Sequence, residues 1–301
     1  MAFQPVFDPL PSKPTSQSQR DLTGVLLVIL RDNFTISTWL MLGALIQGIL
    51  SFLPYPNIAL VAPVAMVLLF QITRTALQSF GILKNPRMDG VIPGRTAVVY
   101  PNEKDGQQNS PGNKQVCAII LSIRSNHPLG MLAKGFKESG DYFDQMLAEL
   151  DKDATKYGYL GASGWISAAD RGYASEKMGM LYFESAEKVH EYAHGPLHTK
   201  AMQWWIQAHK SMPHIGLMHE ILEAPKGSWE GIYMNHHPTG LGATSKEVEI
   251  NGNKVWMNPL VRAKGPLLWS KGRMGKESGA KDWQEFHDAV VQEEGEAFFK
   301  V

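Results

Sequence analysis

The sequence contains one cysteine, Cys117, in 301 residues, and no excess of charge, since 29 lysines and arginines balance 29 aspartates and glutamates. A single cysteine excludes an internal disulfide framework and a cysteine-rich zinc module. Zero net charge argues against non-specific nucleic-acid binding, because such binding depends on a basic excess that displaces counterions from phosphates. We therefore expect no nucleic acid among the partners of this protein.

Charged residues are absent from one long segment, residues 33–73. A helix needs about 20 mostly apolar residues to cross a bilayer. The prolines of the turn 54–57 divide the segment into 36–53 and 58–72, which predicts two antiparallel membrane passes. The alternative is a helical hairpin buried in a soluble core, although core helices usually carry a polar face.

Basic residues flank the charge-free segment on both sides, at Arg20 and Arg31 before it and at Arg74 and Lys84 after it. Because basic flanks stay in the cytosol, this pattern predicts that both termini are cytosolic. We expect the protein to lie in a membrane, that of the endoplasmic reticulum, with its soluble part in the cytosol. The apolar run 22–30 is too short to cross and is expected to lie in the membrane interface.

Changes in composition divide the chain into five parts. Proline, serine and glutamine dominate the first 20 residues, which predicts disorder, and the polar stretch 101–114 has the composition of a loop. The predicted parts are a disordered or interfacial segment (1–32), a transmembrane hairpin (33–77), a linker (78–113), a soluble domain (114–245) and a C-terminal hairpin and helix extension (246–301).

Apolar periodicity in the soluble domain predicts the order strand, helix, strand, strand, helix, strand. These elements are expected at 116–123, 142–157, 159–167, 177–183, from Ser185 to about 210 with a break at 195–196, and at 215–224. This order is that of an α+β, ferredoxin-like domain with both helices on one sheet face. Its other face would be apolar and exposed, which predicts burial against a second copy in a homodimer. A strand at 229–236, a hairpin at 247–257 and a helix at 281–298 are also expected.

Two stretches resemble a known family. They are YFESAEKVHEYAH at 182–194 and IGLMHE at 215–220, the latter followed by Tyr233 and Asn235. This pattern is similar to the antibiotic-biosynthesis-monooxygenase superfamily, whose fold is a dimeric α/β barrel. With the N-terminal hairpin, the chain resembles membrane-bound fungal monooxygenases of the fumagillin-pathway type.

The resemblance implies a membrane-tethered monooxygenase that oxidises or oxidatively cleaves a lipophilic polyketide or terpenoid in fungal secondary metabolism. The expected partners are a small lipophilic substrate, the membrane and a second copy of the chain. A haem-dependent dehydratase or peroxidase-like enzyme is one alternative. A membrane-anchored module that binds a hydrophobic ligand without catalysis is another. One fold hosts many functions, so the fold does not choose among them.

Eight of the ten histidines lie between residues 190 and 237. His190 and His194 are four residues apart and would share one helix face, as metal ligands can. However, the sequence has no HExxH motif, because His219-Glu220 is followed by Ile-Leu-Glu. The alternative is that most of these histidines lie at the surface and are neutral near pH 7. We expect no dedicated metal site.

Five residues are the candidate catalytic set: His198, His219, Glu220, Tyr233 and Asn235. His198 follows the predicted helix break, where a loop would admit substrate. His219 and Glu220 are adjacent on a strand, so one of them at most faces a given pocket, as general base or orienting group. Tyr233 and Asn235 share one strand face and would donate hydrogen bonds to a developing oxyanion. The alternatives are an ion pair for Glu220 and core packing for Tyr233.

A strand followed by GxGxxG is missing from the sequence, so nothing indicates a flavin or nicotinamide domain. We therefore favour chemistry without a cofactor, in which the substrate gives electrons directly to dioxygen. A haem or a metal ion between the sheet and its helices is the alternative.

Overall fold

The computed structural model describes residues 2–16, 27, 30–167 and 175–276. Helices α1 to α7 are Ile36–Leu50, Pro56–Ser79, Phe136–Lys152, Ala154–Tyr157, Ala186–Ala193, Pro196–Ala208 and Ser270–Arg273. Strands β1 to β9 are Ile92–Val98, Val116–Ser125, Tyr159–Ile166, Glu176–Phe183, Ile215–Ala224, Ile232–His236, Lys246–Ile250, Asn253–Met257 and Leu260–Arg262.

Strands β2 to β5 form one antiparallel sheet in the order β3-β4-β2-β5. Helices α3 and α4 connect β2 to β3, and α5 and α6 connect β4 to β5. This order and these connections are those of the predicted ferredoxin-like arrangement. The local signals act as expected, because the Ser185 hydroxyl accepts a hydrogen bond from the Lys188 backbone N–H (3.3 Å) and caps α5.

Helices α3 and α5 pack on one face of this sheet. Leu147 and Leu150 of α3 and Val189 of α5 belong to one buried cluster with Phe183 of β4 and Tyr159 of β3. Burial of a large apolar side chain contributes about 1.5–3 kcal/mol, so this cluster anchors the helices to the sheet.

The second face of the sheet is partly covered by the chain itself, which corrects the prediction that this face is left exposed. Strand β1 forms a second sheet with β6 on one side and β9 on the other. Tyr100, Trp229 and Leu260 pack there with Tyr182 of the main sheet. The predicted linker 78–113 therefore contains a central strand, because the apolar run that ends at Tyr100 is buried.

The uncovered part of the second face lies on the edge strand β5. Met218 and Leu222 are four residues apart on this strand and share that face with the exposed side chain of Glu220 between them. They are 42% and 55% exposed.

Residues 2–16 lie against the soluble part in extended form, which differs from the predicted disorder of residues 1–20. Backbone hydrogen bonds join Val6 to Leu260 and Leu10 to Trp256. Farther along, the Ser16 hydroxyl donates to Asp151 (2.7 Å) at the end of α3. Exposed backbone groups of the partner strands thus fix a segment whose composition alone indicates disorder.

The charge-free segment forms helices α1 and α2, and neither has a buried residue. Helix α2 has 24 residues, and an 18-residue stretch of it has a mean hydropathy of 1.8, so by length and composition it is able to cross a membrane. Helix α1 has 15 residues and is about 22 Å long, shorter than the roughly 30 Å hydrocarbon core. A membrane pass of α2 is therefore weakly indicated, and the two-pass hairpin stays a prediction.

The C-terminal part begins with the predicted hairpin, which is formed by β7 and β8. The predicted helix at 281–298 lies outside the described residues, as does the turn expected at 169–172.

Candidate active site

A cavity of about 620 Å³ lies between the main sheet and helices α3, α5 and α6. Most of its wall is apolar. The apolar wall includes Ile119, Leu121, Ile123, Phe136, Phe143, Leu181 and Leu217. A pocket of this volume and lining suits a lipophilic molecule of drug-like size.

Glycines leave room at two points of the wall. A Cβ atom on Gly179 of β4 would lie 2.9 Å from Cζ of Phe143, so glycine is required for the ring to lie there. Gly140 of α3 is half-buried and lines the cavity, and, apart from its own helix and chain neighbours, nothing lies within 4 Å of the position that its Cβ would take. We call this gap at Ser139 and Gly140 the mouth of the cavity.

His198 lies on the cavity wall in the first turn of α6, after the break at Gly195. Burial lowers the pKa of its imidazole below the ordinary value of 6.5, and the charges of His219 and His194 lower this pKa further. A hydrogen bond to the Ala193 backbone acts in the opposite direction. The ring is therefore neutral at pH 7 and able to accept a proton.

Asp144 and Lys177 bring opposite charges to the cavity wall. Asp144 is one helical turn after Gly140, so it lies beside the mouth, and Lys177 is half-buried on β4. Burial raises the pKa of the Asp144 carboxyl and lowers that of the Lys177 amine, while each charge partly offsets the shift of the other. Neither residue is among the candidates that the sequence pattern indicates. The sequence signal that could have indicated Lys177 is its position on the same strand face as Gly179, Leu181 and Phe183.

Tyr192 also reaches the cavity wall, but its hydroxyl serves the fold. It donates a hydrogen bond to the Met146 carbonyl (3.2 Å) or to the Glu149 carboxylate (3.1 Å). Burial raises the pKa of this phenol, so it stays protonated. Tyr192 thus connects α5 to α3 behind the cavity.

The adjacent residues His219 and Glu220 point to opposite faces of the sheet, as predicted for a strand. His219 lies opposite Leu121 and shares the cavity side with Leu217, two residues before it. Glu220 lies opposite Ile120 on the other face, where it is exposed. Of the two, His219 is therefore the one on the His198 side of the sheet.

Tyr233 and Asn235 lie on β6, in the second sheet. The Tyr233 hydroxyl donates to the Thr239 carbonyl (2.8 Å) and accepts from the Gly242 N–H (2.9 Å). The Asn235 side-chain oxygen accepts from the Gly94 N–H (2.8 Å). The structure thus brings His198 and His219 to one side of the main sheet and leaves Glu220, Tyr233 and Asn235 away from the cavity.

The predicted histidine pair on α5 makes a local contact, because Nδ1 of His194 lies 2.7 Å from the His190 carbonyl oxygen. Among the described residues, no group of three or more histidines, cysteines, aspartates or glutamates has a geometry that would hold a metal ion.

A second, smaller cleft of about 280 Å³ is lined by charged residues. The Lys246 ammonium, whose side chain is 10% exposed, binds Glu103 and Glu184 at 2.7 Å each. Glu103 also pairs with Lys114, and these two lysines lower the pKa of Glu103 to about 2. This network connects the loop after β1 to β4 and β7, so we assign it to the fold.

Comparison with known proteins matches residues 116–241 to the family described as monooxygenase af470-like. The chain is also 32% identical over 271 residues to monooxygenase af470 of Aspergillus fumigatus, a match that covers 88% of this chain and 96% of that protein.

Solved structures give weaker similarities. An aldoxime dehydratase bound to butyraldoxime has a TM-score of 0.36 at 12% identity, over 50% of this chain and 39% of that one. The cofactor-independent oxygenase SnoaB of Streptomyces nogalater has a TM-score of 0.25 at 7% identity, over 36% of this chain and 90% of that one.

Proposed function

The chain belongs to the monooxygenase af470-like family, and from this premise we propose that it is a membrane-tethered monooxygenase of fungal secondary metabolism. Its substrate is a lipophilic polyketide or terpenoid, which it oxidises or cleaves oxidatively. The observation that carries the substrate class is the cavity of about 620 Å³ with its mostly apolar wall.

His198 is the general base of the proposed reaction. Its imidazole is neutral at pH 7 because burial lowers its pKa, and it lines the cavity. The ring takes a proton from a CH₂ group that a neighbouring carbonyl makes acidic, and the enolate then reduces dioxygen. Overall, CH₂ becomes C=O, one oxygen atom stays in the product, and the other leaves as water with the two hydrogens.

Lys177 and Asp144 orient the polar end of the substrate near the mouth. The Lys177 ammonium would attract an enolate oxygen, and the Asp144 carboxylate limits where that ammonium lies. His219 lies on the same side of the sheet as His198 and acts through it as a positioning residue. Glu220, Tyr233 and Asn235 remain secondary candidates, since Glu220 lies exposed on the other sheet face and the hydrogen bonds of Tyr233 and Asn235 favour structural roles.

Oxygen consumption tests this proposal directly. The full chain in detergent, supplied with candidate polyketides or terpenoids and isotope-labelled dioxygen, should place one labelled atom in the product and one in water. His198→Gln should lower turnover by about 10²- to 10⁴-fold, the usual contribution of a positioned base. His209→Gln, an exposed histidine at the end of the same helix, is the matched control.

Spectra of the purified protein separate the alternatives. A Soret band would favour the haem-dependent dehydratase or peroxidase-like enzyme, because a neutral histidine is a common axial ligand of haem iron. Ligand binding without oxygen consumption would favour a non-catalytic binding module. Wild-type turnover of a folded His198→Gln variant would show that His198 is not the base.

The active form in this proposal is a homodimer. Met218 and Leu222 are exposed apolar side chains on the second face of β5, on either side of Glu220, and their exposure supports burial of this strand against a second copy. Light scattering of the full chain in detergent measures this state.

A further inference from the structure

The turn at residues 129–132 is tied directly to the start of the charge-free segment. The Asn33 amide donates to the Leu129 carbonyl (3.0 Å), and its oxygen accepts from the Met131 N–H (2.7 Å). Asn33 is 7% exposed. Gly130 has a positive φ of 55°, and a Cβ atom there would lie 2.2 Å from the Asn33 oxygen. The contact therefore needs both Asn33 and a glycine at 130.

This contact limits how far the turn lies from the apolar helix α1. Asn33 precedes Ile36, the first residue of α1, by three residues, which span about 10 Å at most when extended. Thr35 caps the helix, and the Trp39 indole N–H donates to the Arg31 carbonyl (2.9 Å). Tryptophan at such a position is typical of the interface between lipid and water.

The turn carries apolar side chains that its own fold does not bury. Leu129 and Leu132 are 53% and 55% exposed, while Met131 between them is 5% exposed. Lys134 follows the turn and is exposed, as suits a surface that faces lipid headgroups, and the exposed Lys137 pairs with Asp141 (2.6 Å). A turn of this composition fits a bilayer surface better than bulk water.

The same turn is continuous with the wall of the cavity. Met131 packs in one cluster with Phe136, and Phe136 lines the cavity. One helical turn later comes Gly140, at the mouth. The mouth therefore lies in the N-terminal part of α3, which follows the turn that Asn33 contacts.

We infer that Leu129 and Leu132 dip into the bilayer interface and that the cavity takes its lipophilic substrate from the membrane through the mouth at Gly140. This inference rests on the membrane tethering in the proposed function. Beyond that proposal, it specifies which surface of the soluble part contacts lipid and by which route the substrate enters.

A quenching experiment on the full chain tests the position of the turn. Leu132→Cys gives a single reactive thiol, because the only native cysteine, Cys117, is buried. The matched control is Leu10→Cys, also apolar and 45% exposed. Leu10 bonds to Trp256, and Lys13 reaches both the Trp256 ring and Asp151, at the far end of α3. Helix α3 is about 25 Å long, so the control lies well away from the turn.

Each thiol is labelled with bimane, and the protein is reconstituted in phosphatidylcholine vesicles with and without doxyl-labelled lipid. We expect roughly half of the emission at residue 132 to be lost, as for a group at headgroup depth, and little loss at residue 10. Equal loss at both positions, or no loss at either, would overturn the inference.

Alkaline carbonate extraction of the same vesicles separates the two proposals. Protein that stays with the lipid but shows no quenching at residue 132 contradicts the docking of the turn and leaves the tethering intact. Protein released by carbonate contradicts the tethering, and the inference fails with it.

The route has its own test at the mouth. A dansyl-labelled dodecyl chain dissolved in the vesicles should reach the cavity of the wild type. In Gly140→Trp, whose side chain would fill the mouth, uptake should slow about tenfold or more, the loss expected when substrate access is closed. Unchanged uptake in a folded Gly140→Trp would show that the chain enters elsewhere.

Discussion

The ring of His198 meets the ring of Tyr192 edge to face, with 6.3 Å between their centroids. Tyr192 belongs to the buried cluster of α5 and the sheet. One side of the His198 imidazole therefore packs on the core, while the residue also lines the cavity. Such an environment disfavours the charged form of histidine, which is why the pKa of His198 lies below 6.5.

The pH dependence of catalysis should report this histidine. A base acts only when it is unprotonated, so kcat/KM should fall on the acid side with an apparent pKa below 6.5. In His198→Gln the acid limb should disappear and the remaining rate should be flat there. An acid limb that persists in the folded variant would mean that another group titrates.

The size of the cavity should depend on Gly179. Its Cβ in Gly179→Ala would meet Cζ of Phe143 at 2.9 Å and Cδ1 of Leu181 at 3.3 Å, so the Phe143 ring must shift. We expect a higher KM for bulky substrates and a loss of stability of about 1–3 kcal/mol from overpacking. Steady-state kinetics and thermal melting measure both effects.

Gly140→Ala is the matched control for this change. The added methyl group meets open space, and alanine in a helix interior is more stable than glycine by about 0.5–1 kcal/mol. Its melting temperature should rise and its KM should stay unchanged. If both variants behave alike, the contact of Gly179 with Phe143 does not set the cavity volume.

Local signals explain why the main sheet was predictable. Each of these signals depends on residues that are close together in the sequence. They are the Ser185 cap, the Gly195–Pro196 break and the two-residue alternation of the strands. The second sheet was not predictable in this way, because β1 pairs with strands more than 130 residues later in the chain.

The candidate site was predicted in part for the same reason. His198 lies on the cavity wall, next to a break that the sequence makes visible. The alternation of the strand puts Tyr233 and Asn235 on one face, which predicts hydrogen-bond donors for a pocket, but the Tyr233 hydroxyl is occupied by Thr239 and Gly242. Asp144 and Lys177 are 33 residues apart and meet only through the packing of α3 on the sheet.

The charge of Lys177 should matter more for binding than for folding. In Lys177→Met the stem is retained and the ammonium is lost, so an enolate oxygen loses its attraction. We expect kcat/KM to fall about tenfold or more, the equivalent of one charge-assisted hydrogen bond of about 1.5–3 kcal/mol. Lys177→Arg, which keeps the charge, should recover part of the rate. Equal rates for Met and Arg would exclude an electrostatic role.

Acid should weaken the link that Glu103 makes with Lys246 and Lys114. The pKa of Glu103 is lowered to about 2 in the folded protein from 4.5, so its stabilisation is complete above pH 4.5 and is lost as the pH falls toward 2. Its side chain is 60% exposed, so screening reduces the contribution to about 1 kcal/mol or less. Melting temperatures of the wild type and Glu103→Gln should therefore differ at pH 7 and converge as the pH falls to about 2. A constant difference across this range would contradict the assignment.

The exposed face of β5 should govern the oligomeric state. Leu222 is 55% exposed and shares its strand face with Met218 and the exposed Glu220. A specific interface buries at least about 1,000 Å² in total, and an arginine at 222 would place a bulky, desolvated charge in that contact. Leu222→Arg should therefore be monomeric by light scattering at micromolar concentration in detergent, where the wild type is dimeric. Leu129→Arg changes an equally exposed leucine on the turn assigned to the membrane, and this variant should remain a dimer. A monomeric wild type, or a dimer that tolerates arginine at 222, would mean that β5 does not form the interface.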